Sequence, residues 1–107
     1  MIYRISYSEA AEHDLYAIHL YVESRDSLKR ADMLLEGISQ AIFSLKNMPE
    51  RGHCPQELEL IGIRDFREAH FKPYRIIYSL HEDEVVVHCV LDGGRDMQTL
   101  LQQRLLQ

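Results

Sequence analysis

Apolar and polar positions change their period along the chain, and each change marks an element. Residues 2–7 alternate Ile2, Arg4 and Ser6 with Tyr3, Ile5 and Tyr7, which predicts a short strand. Ser8 follows as an N-cap, with Glu9 in the first turn where a carboxylate suits the helix dipole. Ala11, Leu15, Ile18 and Val22 then recur at helical spacing and predict an amphipathic helix to about residue 24. The polar break Arg25-Asp26-Ser27 precedes a second helix with the stripe Ala31, Leu34, Ile38, Ala41 and Leu45, flanked by Leu35 and Ile42. Asn47, Met48 and Pro49 end it. So short a link predicts an antiparallel helix hairpin.

Residues 49–62 hold Pro49, Gly52, Pro55 and Gly62 without a clear period, and read as a loop. Three strands are predicted beyond it, over about 64–71, 74–81 and 84–91. If the last two pair about Glu82-Asp83, one face collects Tyr74, Ile76, Tyr78, Leu80, Val85, Val87, Cys89 and Leu91. That apolar face should cover the helix hairpin. The other collects Arg75, Ile77, Ser79, Val86, His88 and Val90 and is mixed. Gly93-Gly94 breaks the last strand, and Asp96 can cap a short terminal helix carrying Met97, Leu100, Leu101 and Leu105. The expected class is α+β: a strand, a helix hairpin, a three-stranded antiparallel segment completing one sheet, and a C-terminal helix.

The 107 residues are read as one domain, 1–107, with enough apolar content (46%) for a core without staples. Cys54 and Cys89 form no CxxC or metal-ligand spacing, which favours free thiols in a reducing compartment. The N-terminal residues contain no apolar h-region, and no run reaches membrane-spanning length. A cytoplasmic protein without a membrane partner is expected. Net charge is −5, from 12 Lys and Arg against 17 Asp and Glu. Extended binding to a polyphosphate is thereby disfavoured, although a local basic patch can hold one phosphate.

Such a patch is visible: Arg64, Arg67, Lys72 and Arg75 gather before and on the first strand of the predicted hairpin. Arg75 lies opposite the apolar face, flanked in sequence by Tyr74 and Tyr78. Its rigid fork suits a phosphate or a carboxylate, while an ion pair with Glu68 of the preceding strand is the structural alternative. Both readings stay open. The six histidines show no HxH, HxxxH or HExxH, so nothing in their spacing fixes two imidazoles on one face, and no metal or cofactor is expected. Cys89 reads as a core residue, Gly93-Gly94 as a turn and Glu82-Asp83-Glu84 as solvated hairpin charges.

The helix pattern from Ser8 to Leu15, the corner Pro49-Glu50-Arg51-Gly52, Phe66-Arg67-Glu68, the strand Tyr74-Arg75-Ile76-Ile77-Tyr78 and the run Val90-Leu91-Asp92-Gly93-Gly94-Arg95-Asp96 together resemble the RelE/ParE superfamily of bacterial type II toxins. The resemblance spans essentially the whole chain, and the Tyr-Arg-Ile-Ile-Tyr strand and Gly-Gly-Arg-Asp turn are its most specific parts. It implies one of two activities. RelE-like members are ribosome-dependent, metal-independent mRNA endoribonucleases; ParE-like members inhibit DNA gyrase. Both are neutralised by an antitoxin whose C-terminal segment wraps the toxin.

By position, Arg75 matches the strand arginine of the nuclease members, His70 falls where they hold a basic residue, and Lys72 lies close by. Leu101 stands near the place of their C-terminal tyrosine, which is missing. That departure, the acidic net charge and the Asp92–Asp96 run favour the ParE branch. DNA gyrase is then the target, with Arg67, Lys72, Arg75 and Arg95 as its contacts. The alternatives are a RelE-type nuclease acting on the ribosome and an inactive interaction module of the same fold. Leu35 and Ile42, outside the main helical stripe, are the expected antitoxin contacts, giving a hetero-oligomer with the antitoxin.

Overall fold

A computed structural model describes residues 2–106. Strand β1 (Arg4–Tyr7) leads through Ser8 into helix α1 (Glu9–Arg25), and the Ser8 side chain accepts from the Ala11 N–H as an N-cap should. Ser27 caps α2 (Leu28–Phe43) in the same way through Arg30 N–H, and a 3₁₀ turn over Ser44–Lys46 ends the hairpin. A four-residue helix α3 (Gln56–Glu59) lies inside the segment expected to be loop. Strands β2 (Arg67–Phe71), β3 (Tyr74–His81) and β4 (Glu84–Asp92) follow, then α4 (Met97–Leu105), capped by Asp96 through Thr99 N–H.

The sheet order is β1-β4-β3-β2, with β1 parallel to β4 and the other pairs antiparallel. The α+β architecture anticipated from the sequence is therefore correct. The hairpin turns at Glu82-Asp83, where His81 pairs with Glu84 and Glu82 takes a φ of 54°. β2 begins later than expected because Phe66 turns edge-on to the His88 ring, centroids 5.3 Å apart, and packs over the sheet instead of joining it.

One helix-facing core forms from Ala11, Ile38, Ile42 and Leu45 against Ile76, Tyr78, Val85, Val87 and Val90. Here two expectations need correction. The β3–β4 register slips by one residue between Ile77 and Tyr78, a bulge that leaves His88 without a partner. An extra residue reverses the side-chain alternation beyond it. Cys89 and Leu91 consequently leave the helix-hairpin face, and Val90 takes their place there. The opposite face is not open either: Ile77, Cys89 and Leu91 bury against Leu58 of α3 and Met97 and Leu101 of α4. The sheet is covered on both sides, and Arg75, paired with Leu91, lies within the second covered layer. Among the described residues no helix is long and apolar enough to cross a membrane.

Candidate functional site

The register puts His70 opposite Arg75 and Glu68 opposite Ile77, so Glu68, His70 and Arg75 share the second face of the sheet. Helix α3 brings Glu57 down onto them from above, its Leu58 anchored in the second core and its Glu57 carbonyl accepting from Gln98 Nε2 of α4. Arg75 is gripped from two sides. Its Nε and Nη2 donate to Glu68 Oε2 and Oε1 at 2.8 and 2.7 Å, and its Nη1 and Nη2 donate to Glu57 Oε2 and Oε1 at 2.8 and 2.7 Å. The Arg75 side chain is 16% exposed and that of Glu68 only 2%. Bidentate bonds to Glu57 and Glu68 raise the Arg75 pKa further above its ordinary value, against the opposing effect of burial. The same hydrogen bonding from Arg75 holds Glu57 below the usual carboxylate range. Of the two readings left open for Arg75, the geometry realises the pair with Glu68 and adds Glu57, a partner with no signal along the chain.

His70 Nε2 lies 2.7 Å from Glu68 Oε2, so the second nuclease candidate is also held by this carboxylate. His53 joins the group through a backbone bridge: Glu68 N–H donates to His53 O at 2.7 Å and His53 N–H to Glu68 O at 3.3 Å. The spacing argument against paired imidazoles is thereby overturned, because a chain reversal 17 positions long sets the His53 and His70 rings 5.6 Å apart. Arg51, Gly52 and Ser44 complete a cavity of about 220 Å³ beside them. Gly52 is required there. A Cβ at this position would overlap the Glu68 carbonyl and the Tyr78 hydroxyl, and Tyr78 Oη accepts from Gly52 N–H while donating to Pro49 O.

The remaining predicted cations divide. Arg67 donates Nη1 to the carbonyls of Gly52 and Glu50 at 2.7 and 3.2 Å and so clamps the Pro49–Gly52 corner. Lys72 and Arg95 are exposed and form no ion pair among the described residues. Their turns are neighbours, since Gly93 N–H donates to Pro73 O and Tyr74 pairs with Asp92. At this end of the sheet a cavity of about 310 Å³ is lined by Tyr21, Tyr74, Asp92 and Arg95, and Arg25 stacks 4.9 Å over the Tyr21 ring. Burial, then the Asp92 charge, raises the Tyr74 pKa.

The two proposed antitoxin contacts also part company. Ile42 is fully buried in the helix-facing core, so it offers no surface to a partner; its i+4 offset from Ile38 turns it to the sheet. Leu35 is partly exposed and lines a shallow cavity of about 460 Å³ between α1 and α2 with Tyr7, Leu15, Tyr16 and Ser39. Tyr16 of this lining is largely exposed. Leu101, at the position of the missing tyrosine, is buried in the second core.

A helix hairpin on one face of a four-stranded sheet, a parallel edge strand and an arginine locked under a short helix define a small α+β fold. Residues 5–97 match the family described as ParE toxin of type II toxin-antitoxin system, parDE. The chain belongs to this ParE toxin family. Among solved structures it resembles the chromosomal ParDE toxin–antitoxin system from P. aeruginosa, with a TM-score of 0.72, 13% identity, and 85% of this chain and 96% of that one covered. It also resembles the RelBE2 toxin–antitoxin complex from Mycobacterium tuberculosis, with a TM-score of 0.63, 20% identity and coverage of 86% and 99%. Free E. coli toxin RelE, solved as a mutant, aligns with a TM-score of 0.65, 14% identity and coverage of 94% and 93%. No curated protein matches the chain by sequence.

Proposed function

We propose that the chain is the toxin of a type II toxin–antitoxin pair, that it inhibits DNA gyrase, and that a cognate antitoxin neutralises it. The observation that carries the choice of target is the state of Arg75. Two carboxylates hold it at 2.7–2.8 Å, and Glu68 occupies His70 as well. A nuclease arginine must meet phosphate charge that develops in the transition state. Reaching a phosphate from this cluster would require breaking four short charge-assisted hydrogen bonds and exposing the buried Glu68 charge.

Cations free to meet an anionic partner lie elsewhere, at Lys72 and Arg95. Arg95 lines the cavity with Tyr74 and Tyr21 at the end of the sheet, Lys72 sits in the neighbouring turn, and this surface is the proposed gyrase contact. Arg75 serves it from beneath by holding the β2–β3 framework to α3, while Arg67, at the other end of β2, holds the Pro49–Gly52 corner. The antitoxin is proposed to cover the α1–α2 groove at Leu35, Tyr16 and Tyr7, where burying one such side chain contributes roughly 1.5–3 kcal/mol.

Expression without a cognate antitoxin tests the reading. Growth arrest together with loss of supercoiling activity in a purified gyrase assay is expected. Unimpaired growth would make the chain an inactive interaction module. Arrest with intact gyrase and A-site mRNA cleavage on programmed ribosomes would make it a RelE-type nuclease.

A further inference from the structure

We propose that His53, Glu68 and His70 form a binding site for one divalent transition-metal ion, of which zinc is the best fit. One ligand atom from each residue lies within 4.8 Å of the others, and two imidazoles with one carboxylate are a donor set suited to zinc. At metal–ligand distances of about 2.0–2.2 Å, tetrahedral ligands stand roughly 3.4 Å apart. The observed separations, from 2.7 Å for His70 Nε2 to Glu68 Oε2 up to 4.8 Å, straddle that value. Both imidazoles are exposed, so their rings have room to turn toward that spacing.

Three features outside the donor set support it. His53 Nδ1 lies 3.2 Å from the Cys54 carbonyl, the outer hydrogen bond that orients a ligating imidazole and leaves Nε2 for the metal. Glu68 is held by Arg75, so its carboxylate is fixed in place before any ion arrives. The backbone bridge between His53 and Glu68 ties the loop ligand to the strand that carries the other two. Glu57 and Glu68 are balanced by Arg75 and by Arg51 on the cavity wall, so the cluster is neutral before the ion arrives and the donor geometry, not net charge, carries the site. The metal replaces the proton between His70 Nε2 and Glu68 Oε2, with His70 in its Nδ1–H form. The adjoining cavity of about 220 Å³ leaves room for a water at the fourth position.

Titration of the purified chain with Zn²⁺ in a non-coordinating buffer, read by calorimetry and by the visible bands of Co²⁺ put in its place, tests the site. One ion per chain is expected, with tetrahedral-type Co²⁺ absorption. His53→Ala and His70→Ala should each weaken binding at least tenfold, whereas His13→Ala and His81→Ala should leave it unchanged. His53 is exposed and its ring bonds only the Cys54 carbonyl, so His53→Ala should keep the wild-type melting temperature without metal, whereas His70→Ala also removes a partner of the buried Glu68 and should lower it. Binding that survives His53→Ala, or Co²⁺ spectra of the octahedral aqua type, would overturn the assignment and leave scattered surface histidines as the cause. This test is independent of gyrase inhibition.

Discussion

Replacing Arg75 by Met removes the cation from between Glu57 and Glu68 while preserving most of the side-chain volume. Glu68 is then a carboxylate only 2% exposed, with His70 as its remaining partner. Breaking a buried pair by removing one member costs about 3–5 kcal/mol. Glu57 is 23% exposed and recovers some hydration, so the lower end applies, about 3 kcal/mol at pH 7.5. For a domain of this size that lowers the melting temperature by roughly 12 °C.

The loss should depend on pH in a defined direction. In the wild type, the Glu57 pKa is depressed by hydrogen bonding from Arg75, so this group adds stability above the ordinary carboxylate range, and that stability is lost as pH falls through its lowered folded pKa. In Arg75→Met the depression of the Glu57 pKa is gone, so only the wild type loses this stability on acidification. The gap between variant and wild type should therefore narrow below pH 4.5, the ordinary Glu57 value. Urea unfolding at pH 7.5 and at about pH 3.5 measures both quantities. Adding Glu57→Gln and Glu68→Gln to Arg75→Met should restore about half of the loss or more. A loss below about 1 kcal/mol at pH 7.5, unchanged on acidification, would refute the structural role of this cluster.

Other perturbations reach different parts of the account. Tyr78→Phe leaves Gly52 N–H and Pro49 O without their buried partner and should cost about 1–3 kcal/mol in urea unfolding. Asp14→Ala strips Arg104 of its bidentate partner and Val90 N–H of its acceptor, uncoupling α1 from α4; a loss of about 2 kcal/mol is expected by the same method. Burial first, then His81, lowers the His88 pKa, so the unfolded chain binds its proton more readily; stability should fall as pH drops through 6.5, and His88→Gln should flatten that slope in pH-dependent melts. Leu35→Asp should weaken antitoxin binding in calorimetry while changing stability by less than about 1 kcal/mol, because Leu35 is only partly buried.

The helix hairpin, its first cap and the β3–β4 turn were legible because each is a local statement. Ser8, the Ala11–Leu15–Ile18 stripe and Glu82-Asp83 carry their own geometry within a few residues. What escaped is non-local. No glycine marks the bulge at His88, yet one unpaired residue moves Cys89 and Leu91 from one core to the other. Helix α3 has four residues between proline and glycine, too few for a periodic pattern, and its Glu57 is nonetheless half of the grip on Arg75. The His53–Glu68–His70 group arises from one backbone bridge, which no spacing rule along the chain encodes. Ile42 faces the sheet for a smaller reason: a stripe drawn through Ala41 shifts by one position when Ile38, Ile42 and Leu45 form the buried row.

Inhibition of purified DNA gyrase by the purified chain, with the Lys72→Glu/Arg95→Glu double variant beside it, tests the central proposal most directly. Both residues are exposed turn cations without an ion pair among the described residues, so the variant should fold with stability within about 0.5 kcal/mol of wild type. Wild-type protein is predicted to abolish supercoiling or trap cleavage complexes, and the variant to need at least tenfold more protein for the same effect. Supercoiling unaffected by wild-type protein would contradict gyrase as the target. Equal inhibition by both proteins would contradict the sheet end as the contact surface.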